Sequence, residues 1–277
     1  MMFLLVTSLL ITTSSANYTD DFARNVMFPL SAAAYSNHPW ICLATHFPYS
    51  KLYRQIFVDC DSFEGDICSG FTAVMPRYKA IAMSFRGTQG HAQLAEEIRR
   101  SSTWIYGGQV SKYFHDAFLN IWDSGMKEDF HNLKSAHPDY EIWVTGHSLG
   151  GAMASLAASY LVATGLAERS KVKLVTSGQP RTGDKLFALN HDSQLDFSYR
   201  VTHWHDIVPH IPVKNDYGYY HHGKEVFYQQ GMPPANFTIC SGGEDNNCSN
   251  GVWHTSISDH RQYFSQLVSQ YGARGCY

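Results

Sequence analysis

Gly146-His147-Ser148-Leu149-Gly150 is the stretch of this sequence best equipped for nucleophilic chemistry. A serine flanked by glycines can sit on a very tight turn from a strand into a helix, because side chains at the glycine positions would clash as the backbone doubles back. Such a turn lifts the Ser148 hydroxyl clear of the sheet. It also leaves backbone N–H groups at the helix start, chiefly that of Leu149, facing the same space, where they can hold a developing oxyanion. The pentapeptide alone is a weak signal, and its setting gives it weight.

A serine nucleophile needs a base, and the base needs an acid to orient it. Serine, acid, histidine is one of the chain orders in which such triads occur. Asp206 fits the acid: it follows a strand expected at 197–202 and precedes Ile207-Val208-Pro209, whose proline stops a regular element. Asp192, Asp196 and Asp216 read instead as solvated loop or turn acids. The histidines after Asp206 are His210, His221, His222, His254 and His260. His260 is chosen, because Asp259 is expected to cap a final amphipathic helix bearing Tyr263, Phe264 and Leu267. A histidine at such a helix start can reach both a serine and a carboxylate. Ser84-Phe85-Arg86-Gly87-Thr88 ends another strand with a glycine turn, and Thr88 can add its N–H and Oγ to the oxyanion site.

These residues need elements to carry them. Residues 71–74 and 80–85 are short apolar runs around a turn at Pro76-Arg77-Tyr78-Lys79, which predicts a hairpin. Residues 125–136 are expected to be helical, with Met126, Phe130 and Leu133 on one face. Residues 140–145, 171–176 and 197–202 read as strands. Residues 150–164, a run of Ala, Met, Leu and Ser ended by Gly165, read as a buried helix whose small residues can pack closely on a sheet. Strand, helix, strand in this order signals a parallel sheet of the α/β class.

Lys+Arg 21 against Asp+Glu 24 leave a formal net charge of −3, which argues against a nucleic-acid binder, since that needs a basic face to displace counterions. The apolar run opening the chain is too short to span a bilayer but suits a secretory leader, with Ser14 and Ala16 supplying small residues for cleavage. The expectation is a leader over 1–16 and one domain over 17–277, with no transmembrane segment. No repeat, low-complexity tract or flexible linker divides the latter. Six cysteines fit export, and the count alone permits many pairings. Cys60 with Cys68 and Cys240 with Cys248 read as local loop staples, which by elimination leaves Cys42 to join Cys276. Asn17, Asn236 and Asn247 open glycosylation sequons. Protonation of the 15 histidines would make the net charge strongly positive below about pH 6, which would suit an acidic lumen as well as the extracellular space.

With these blocks in place, the chain resembles the class 3 lipases, secreted α/β-hydrolases that include fungal triacylglycerol lipases. The likeness covers roughly residues 25–265. It rests on Ser84–Thr88, Val144–Ala152, Ser177-Gly178-Gln179-Pro180-Arg181-Thr182-Gly183, Asp206-Ile207-Val208-Pro209 and Asp259-His260, in that order. The resemblance implies a single-domain α/β-hydrolase fold with a central, mostly parallel sheet flanked by helices. It implies Ser148 as nucleophile, His260 as base, Asp206 as acid, Thr88 and Leu149 as oxyanion donors, and a disulfide between the N- and C-terminal regions. No cofactor or metal is implied, so the His221-His222 pair reads as surface or core. A lipid or ester substrate, transient contact with a lipid interface and a monomeric state are the expected associations. The family's amphipathic lid is where the chain departs. In 89–100 the large apolar residues are Leu94 and Ile98, a thin face for anchoring at oil, with Trp104, Ile105 and Tyr106 beyond. Esterase action on soluble esters, as in feruloyl esterases, is therefore the alternative activity, and a silent lipid-binding relative the alternative outside enzymes.

Overall fold

The computed structural model describes residues 17–60, 66–88, 102–105, 107–214 and 218–277, so the expected leader, the 89–100 segment and Asp216 lie outside the described residues. The central sheet has eight strands whose spatial order follows the chain. They are β1 (Lys51–Asp59), β2 (Ile67–Met75), β3 (Ala80–Phe85), β4 (Glu141–His147), β5 (Val172–Ser177), β6 (Phe197–His203), β7 (Glu225–Tyr228) and β8 (Phe237–Ile239). The first three form an antiparallel meander. From β3 to β7 every neighbour is parallel, and β8 returns antiparallel at the far edge.

Burial on both faces accounts for the apolar character of the middle strands. Side chains alternate along each strand, so Ile142 and Val144 of β4 enter one core while Trp143 enters the other. In β3, Ile81, Met83 and Phe85 likewise oppose Ala80 and Ala82. The first core is roofed by α3 (Lys112–Ile121), α4 (Lys127–Ala136), α5 (Leu149–Ala163) and α6 (Lys185–Gln194). The second is roofed by α1 (Phe28–Ala33), α2 (Pro39–His46) and α8 (Val268–Ala273). The result is a three-layer α/β/α arrangement with a mostly parallel sheet.

Helix α5 is the central crossover. It is buried from Leu149 to Ser159, and the small residues foreseen there let it lie against the sheet. A Cβ on Gly151 would come 3.1 Å from Gln179 Cβ and 3.3 Å from Thr176 Cβ. Each fully buried leucine of this helix, such as Leu156 and Leu161, contributes roughly 2 kcal/mol of apolar burial.

The register sets the site. Phe85 pairs with Gly146, His147 with Ser177 and Ser177 with Val201, so β3 to β6 end at nearly one level. The loops leaving their carboxyl ends therefore share one rim, where ligands of open α/β sheets bind.

Some elements differ from expectation. The helix foreseen at 125–136 begins at Lys127, because Gly125 takes a φ of +134° and breaks it from the turn before. Helix α3 was unforeseen, although Tyr113, Phe114, Ala117, Phe118 and Ile121 mark one buried face. The final amphipathic helix is replaced by α7 (Ile257–His260), a two-strand hairpin of Gln262–Tyr263 with Gln266–Leu267, and then α8. Ser256, not Asp259, caps α7, accepting the Asp259 N–H at 3.2 Å. Phe264 and Ser265 turn the hairpin with φ of +50° and +63°, and Phe264 is buried beside Phe28 at a ring separation of 5.3 Å. Tertiary packing overrides the local helical pattern there.

Cys42 is bonded to Cys276, Cys60 to Cys68 and Cys240 to Cys248. The first spans 234 residues and fixes α2 to the segment after α8. Closing so long a loop restricts the unfolded chain most. Replacing both Cys42 and Cys276 with alanine is expected to remove about 2–5 kcal/mol of stability. Urea unfolding checks this: an unshifted midpoint would show that the tie carries no stability.

Candidate active site

At the end of β4 the chain reverses through Ser148, whose φ of +60° and ψ of −131° are sparsely populated for a residue with a side chain. The surroundings hold it there. A Cβ on Gly146 would run into the Gly150 carbonyl, and one on Gly150 into the Phe85 carbonyl. The Ser148 N–H donates to Ser177 O at 3.0 Å, while the Ser148 carbonyl accepts from Gly151 N at 2.8 Å. The turn thus joins β4 to the N-terminus of α5 without room for a larger residue at either glycine.

Two loops from the same rim meet this serine. Asp206 follows β6, and its Oδ1 accepts the Val208 N–H at 2.8 Å, closing a local turn. A bridge between Asp206 and Ser256 brings in the segment that leads to α7. His260 Nδ1 lies 3.0 Å from Asp206 Oδ2, and His260 Nε2 lies 2.9 Å from Ser148 Oγ. An ionised carboxylate only accepts, so Nδ1 carries the proton and Nε2 accepts from the serine hydroxyl. All three side chains are buried.

Burial alone would push the Asp206 carboxyl up. The positive field of His260, its hydrogen bond and those from Tyr263 and Val208 outweigh this and hold the pKa below its ordinary value. Tyr263 Oη donates to Oδ2 at 2.6 Å, and its own pKa is driven well above the usual tyrosine value by burial and by that carboxylate.

A second set of contacts positions His260. The His147 ring stacks on His260 with centroids 4.6 Å apart. Its Nε2 donates to His260 O at 2.9 Å, so its Nδ1 accepts from Tyr35 Oη at 2.7 Å. Gly178, with φ of +57°, leaves the space that the pair needs. A Cβ there would lie 2.8 Å from Asp206 Oδ2 and 3.0 Å from His260 Nδ1. Sequence reasoning assigned no role to Tyr263, Tyr35 or Gly178. The three-residue step from His260 to Tyr263 and the Gly178-Gln179-Pro180 turn were the available signals.

Thr88 enters from the end of β3. Its hydroxyl is buried and has no hydrogen-bond partner among the described residues. Leu149 opens α5, where the first N–H groups have no acceptor within the helix. Gly87 keeps the two loops close, since a Cβ there would meet His147 O at 2.6 Å and Ser148 Cβ at 2.9 Å. Thr88, His147 and Tyr35 are among the residues that line a cavity of about 350 Å³.

The other candidates lie apart. Asp196 pairs with Arg169, and Asp192 accepts the Gly223 N–H at 2.6 Å, with burial pushing its carboxyl up. His254 is exposed. His221 and His222 belong to a buried polar group behind α5. There the His191 and His222 rings stack 3.7 Å apart, held by Ser155, Ser159, Gln179 and Ser198. Burial, reinforced by Arg200, pushes the His191 pKa down to about 3 and holds His221 and His222 well below the ordinary value. His210 is lowered by the same causes of burial and arginine charge, here Arg181. The expected charging of the histidines below about pH 6 therefore does not extend to these four in the folded chain, and their desolvation is the reason.

Residues 82–216 match the family model described as Lipase (class 3). A lipase of Caenorhabditis elegans is 33% identical over 94% of this chain and 83% of its own length. The chain belongs to the class 3 lipase family. It is a carboxylic ester hydrolase with a serine nucleophile. A solved lipase of Rhizopus microsporus var. chinensis superposes with a TM-score of 0.78 at 27% identity, covering 91% of this chain and 90% of that one. A solved triacylglycerol lipase whose catalytic centre is formed by a serine protease triad gives 0.75 at 28% identity, covering 88% and 93%. This class 3 lipase spans about half the length of the curated Rhizopus lipases it also matches.

Two predictions follow from the charges. Asp206 has a depressed folded pKa, so its contribution is present above the unfolded pKa and lost as pH falls through the folded one. Tyr263→Phe removes a donor worth about 1.5 kcal/mol to a charged acceptor. It is expected to lower kcat/KM on the order of tenfold and to move the acid limb of the pH–rate profile upward. An unmoved limb would show that Tyr263 does not hold the carboxylate ionised. The buried histidines act with the same sign. Their stabilisation is complete above the unfolded value near 6.5 and is lost as pH falls below it, for His191 towards about 3. Urea midpoints are expected to fall between pH 7.5 and pH 5, and His222→Gln to flatten that fall. Equal midpoints at both pH values would contradict the buried-neutral assignment.

Proposed function

We propose that this chain is exported and hydrolyses acyl esters of glycerol through an acyl-enzyme on Ser148. The observation that carries this reading is the unbroken buried run Ser148 Oγ, His260, Asp206 at 2.9 and 3.0 Å, on the rim where four strands end. Ser148 Oγ attacks the ester carbonyl as His260 Nε2 takes its proton, and Asp206 stabilises the imidazolium that forms. The negative charge on the tetrahedral oxygen falls to the Leu149 N–H and to Thr88, whose buried hydroxyl awaits an acceptor. His260 then protonates the departing glycerol oxygen. Water repeats the sequence in reverse, with His260 as base, releasing the fatty acid and restoring Ser148.

Export is supported by the apolar leader-like run at 1–11 and by three disulfides, which persist in oxidising compartments. Asn17, Asn236 and Asn247 are exposed and so available to glycans. The buried neutral histidines favour a compartment near neutrality over an acidic lumen. Among the described residues no helix is long and apolar enough to cross a membrane.

A panel of p-nitrophenyl esters from butyrate to palmitate tests the chemistry. The parent is expected to turn over several chain lengths, and Ser148→Ala to lower the rate by at least about a thousandfold on each. Parent-like hydrolysis by that variant would remove Ser148 from the reaction.

A further inference from the structure

Two further imidazoles hold the backbone that carries His260. Helix α7 is a single turn, and the carbonyls at the end of a helix look outside it for donors. His203 Nδ1 lies 3.0 Å from Asp259 O, and His147 Nε2 lies 2.9 Å from His260 O. A carbonyl only accepts, so each of these ring nitrogens carries a proton. From His147 the run of hydrogen bonds goes further. Its Nδ1 accepts from Tyr35 Oη at 2.7 Å, and Tyr35 Oη in turn takes the Gly87 N–H. Gly87 precedes Thr88, and a Cβ on it would lie 2.2 Å from Tyr35 Oη. Three hydrogen bonds therefore cross from the loop bearing Thr88 to the backbone of His260, through two buried side chains.

Every group in this run donates in one direction: Gly87 N–H to Oη, Oη–H to Nδ1, Nε2–H to the carbonyl. Burial raises the Tyr35 phenol well above its ordinary value, so its proton stays available to His147. His147 is thereby held as a neutral ring, stacked on His260 at 4.6 Å and 24° from parallel. A cationic ring there would oppose the charge that His260 acquires with the serine proton, and a neutral one does not.

We propose that Tyr35 and His147 are positioning residues that keep Thr88 and the His260 imidazole in register across Ser148. This rests on the ester-hydrolase reading above and adds two residues to its machinery. In that reading Thr88 meets the oxygen of the tetrahedral centre and His260 handles the proton, yet the two belong to separate loops, one leaving β3 and one beginning at α7. Both have to address a single carbon attached to Ser148 Oγ. A small displacement of either loop weakens stabilisation of the transition state and leaves ground-state binding of the ester intact. The Gly87–Tyr35–His147–His260 run is a direct tie between the two loops. Its effect belongs in kcat, because it acts through Thr88 and His260 and not through contact with the ester.

The test is steady-state hydrolysis of p-nitrophenyl butyrate, kept below its solubility limit, by the parent, Tyr35→Phe, His147→Phe, His147→Gln and the variant carrying both phenylalanines. Rates are counted per site labelled to completion by a fluorophosphonate, so chains that fail to fold drop out. Expected is a fall in kcat of about tenfold in Tyr35→Phe and somewhat more in His147→Phe, with KM held within about twofold. His147→Gln keeps a donor and an acceptor and should recover part of the loss. The double variant should be no slower than His147→Phe within about twofold, because both changes break one run of bonds. A pair that served stability alone would reduce the number of labelled sites and leave kcat per site unmoved. Unchanged kcat, an effect confined to KM, equal losses in His147→Gln and His147→Phe, or losses that multiply in the double variant each overturn the tie and leave the ester-hydrolase reading standing. A parent that the fluorophosphonate does not label at Ser148 overturns both.

Discussion

A carboxylate sealed from water has to find its compensation among neighbouring dipoles, and Asp206 organises this molecule around that requirement. Its two oxygens take hydrogen bonds from His260, Tyr263 and the Val208 backbone, which come from two stretches of chain, the turn directly after Asp206 and the segment over 260–263. Each donor costs the fold something to deliver. Val208 needs the proline-stopped turn after β6. His260 needs α7, held to the Asp206 loop by the Ser256 bridge. Tyr263 needs the hairpin with two residues of positive φ. The segment over 256–263 therefore supplies two of the donors to one buried charge.

The opposite end of the hydrogen-bonded run is governed by space instead of charge. Ser148 can occupy its turn because Gly146 and Gly150 let backbones touch, and Gly87 and Gly178 clear room for the loops beside it. His147 connects the two halves. It stands beside the serine in sequence, stacks on His260 in space, and is held by Tyr35 from the N-terminal layer.

What could be read from the sequence follows this division. The glycines around Ser148, the proline after Asp206 and the strand patterns are local signals, and the structure brings His260 within hydrogen-bond distance of both Ser148 and Asp206. The β3, β4, β5 and β6 strands were legible because burial on both faces writes continuous apolar runs. Non-local packing left no such trace. Tyr35 and His147 are 112 residues apart, and nothing in either neighbourhood announces the contact. Tyr263 lay in an apparent helical pattern that Phe264 overrode by burying itself against Phe28. The stacked His191 and His222 look like any other polar residues until the sheet closes over them. The small strand pairing of Ser102–Ile105 with Gly108–Ser111 was likewise unforeseen, being set by the Gly183 backbone against which its second strand lies.

The separation of 112 residues between Ser148 and His260 has a consequence for a chain made from one end to the other. A ribosome exposes the serine long before it has polymerised the imidazole that accepts its hydrogen bond, and the Cys42–Cys276 tie forms later still. During that interval the nascent polypeptide carries Ser148 without its hydrogen-bond acceptor. Only when the segment carrying His260 docks is the hydrogen-bonded run from Ser148 to Asp206 complete.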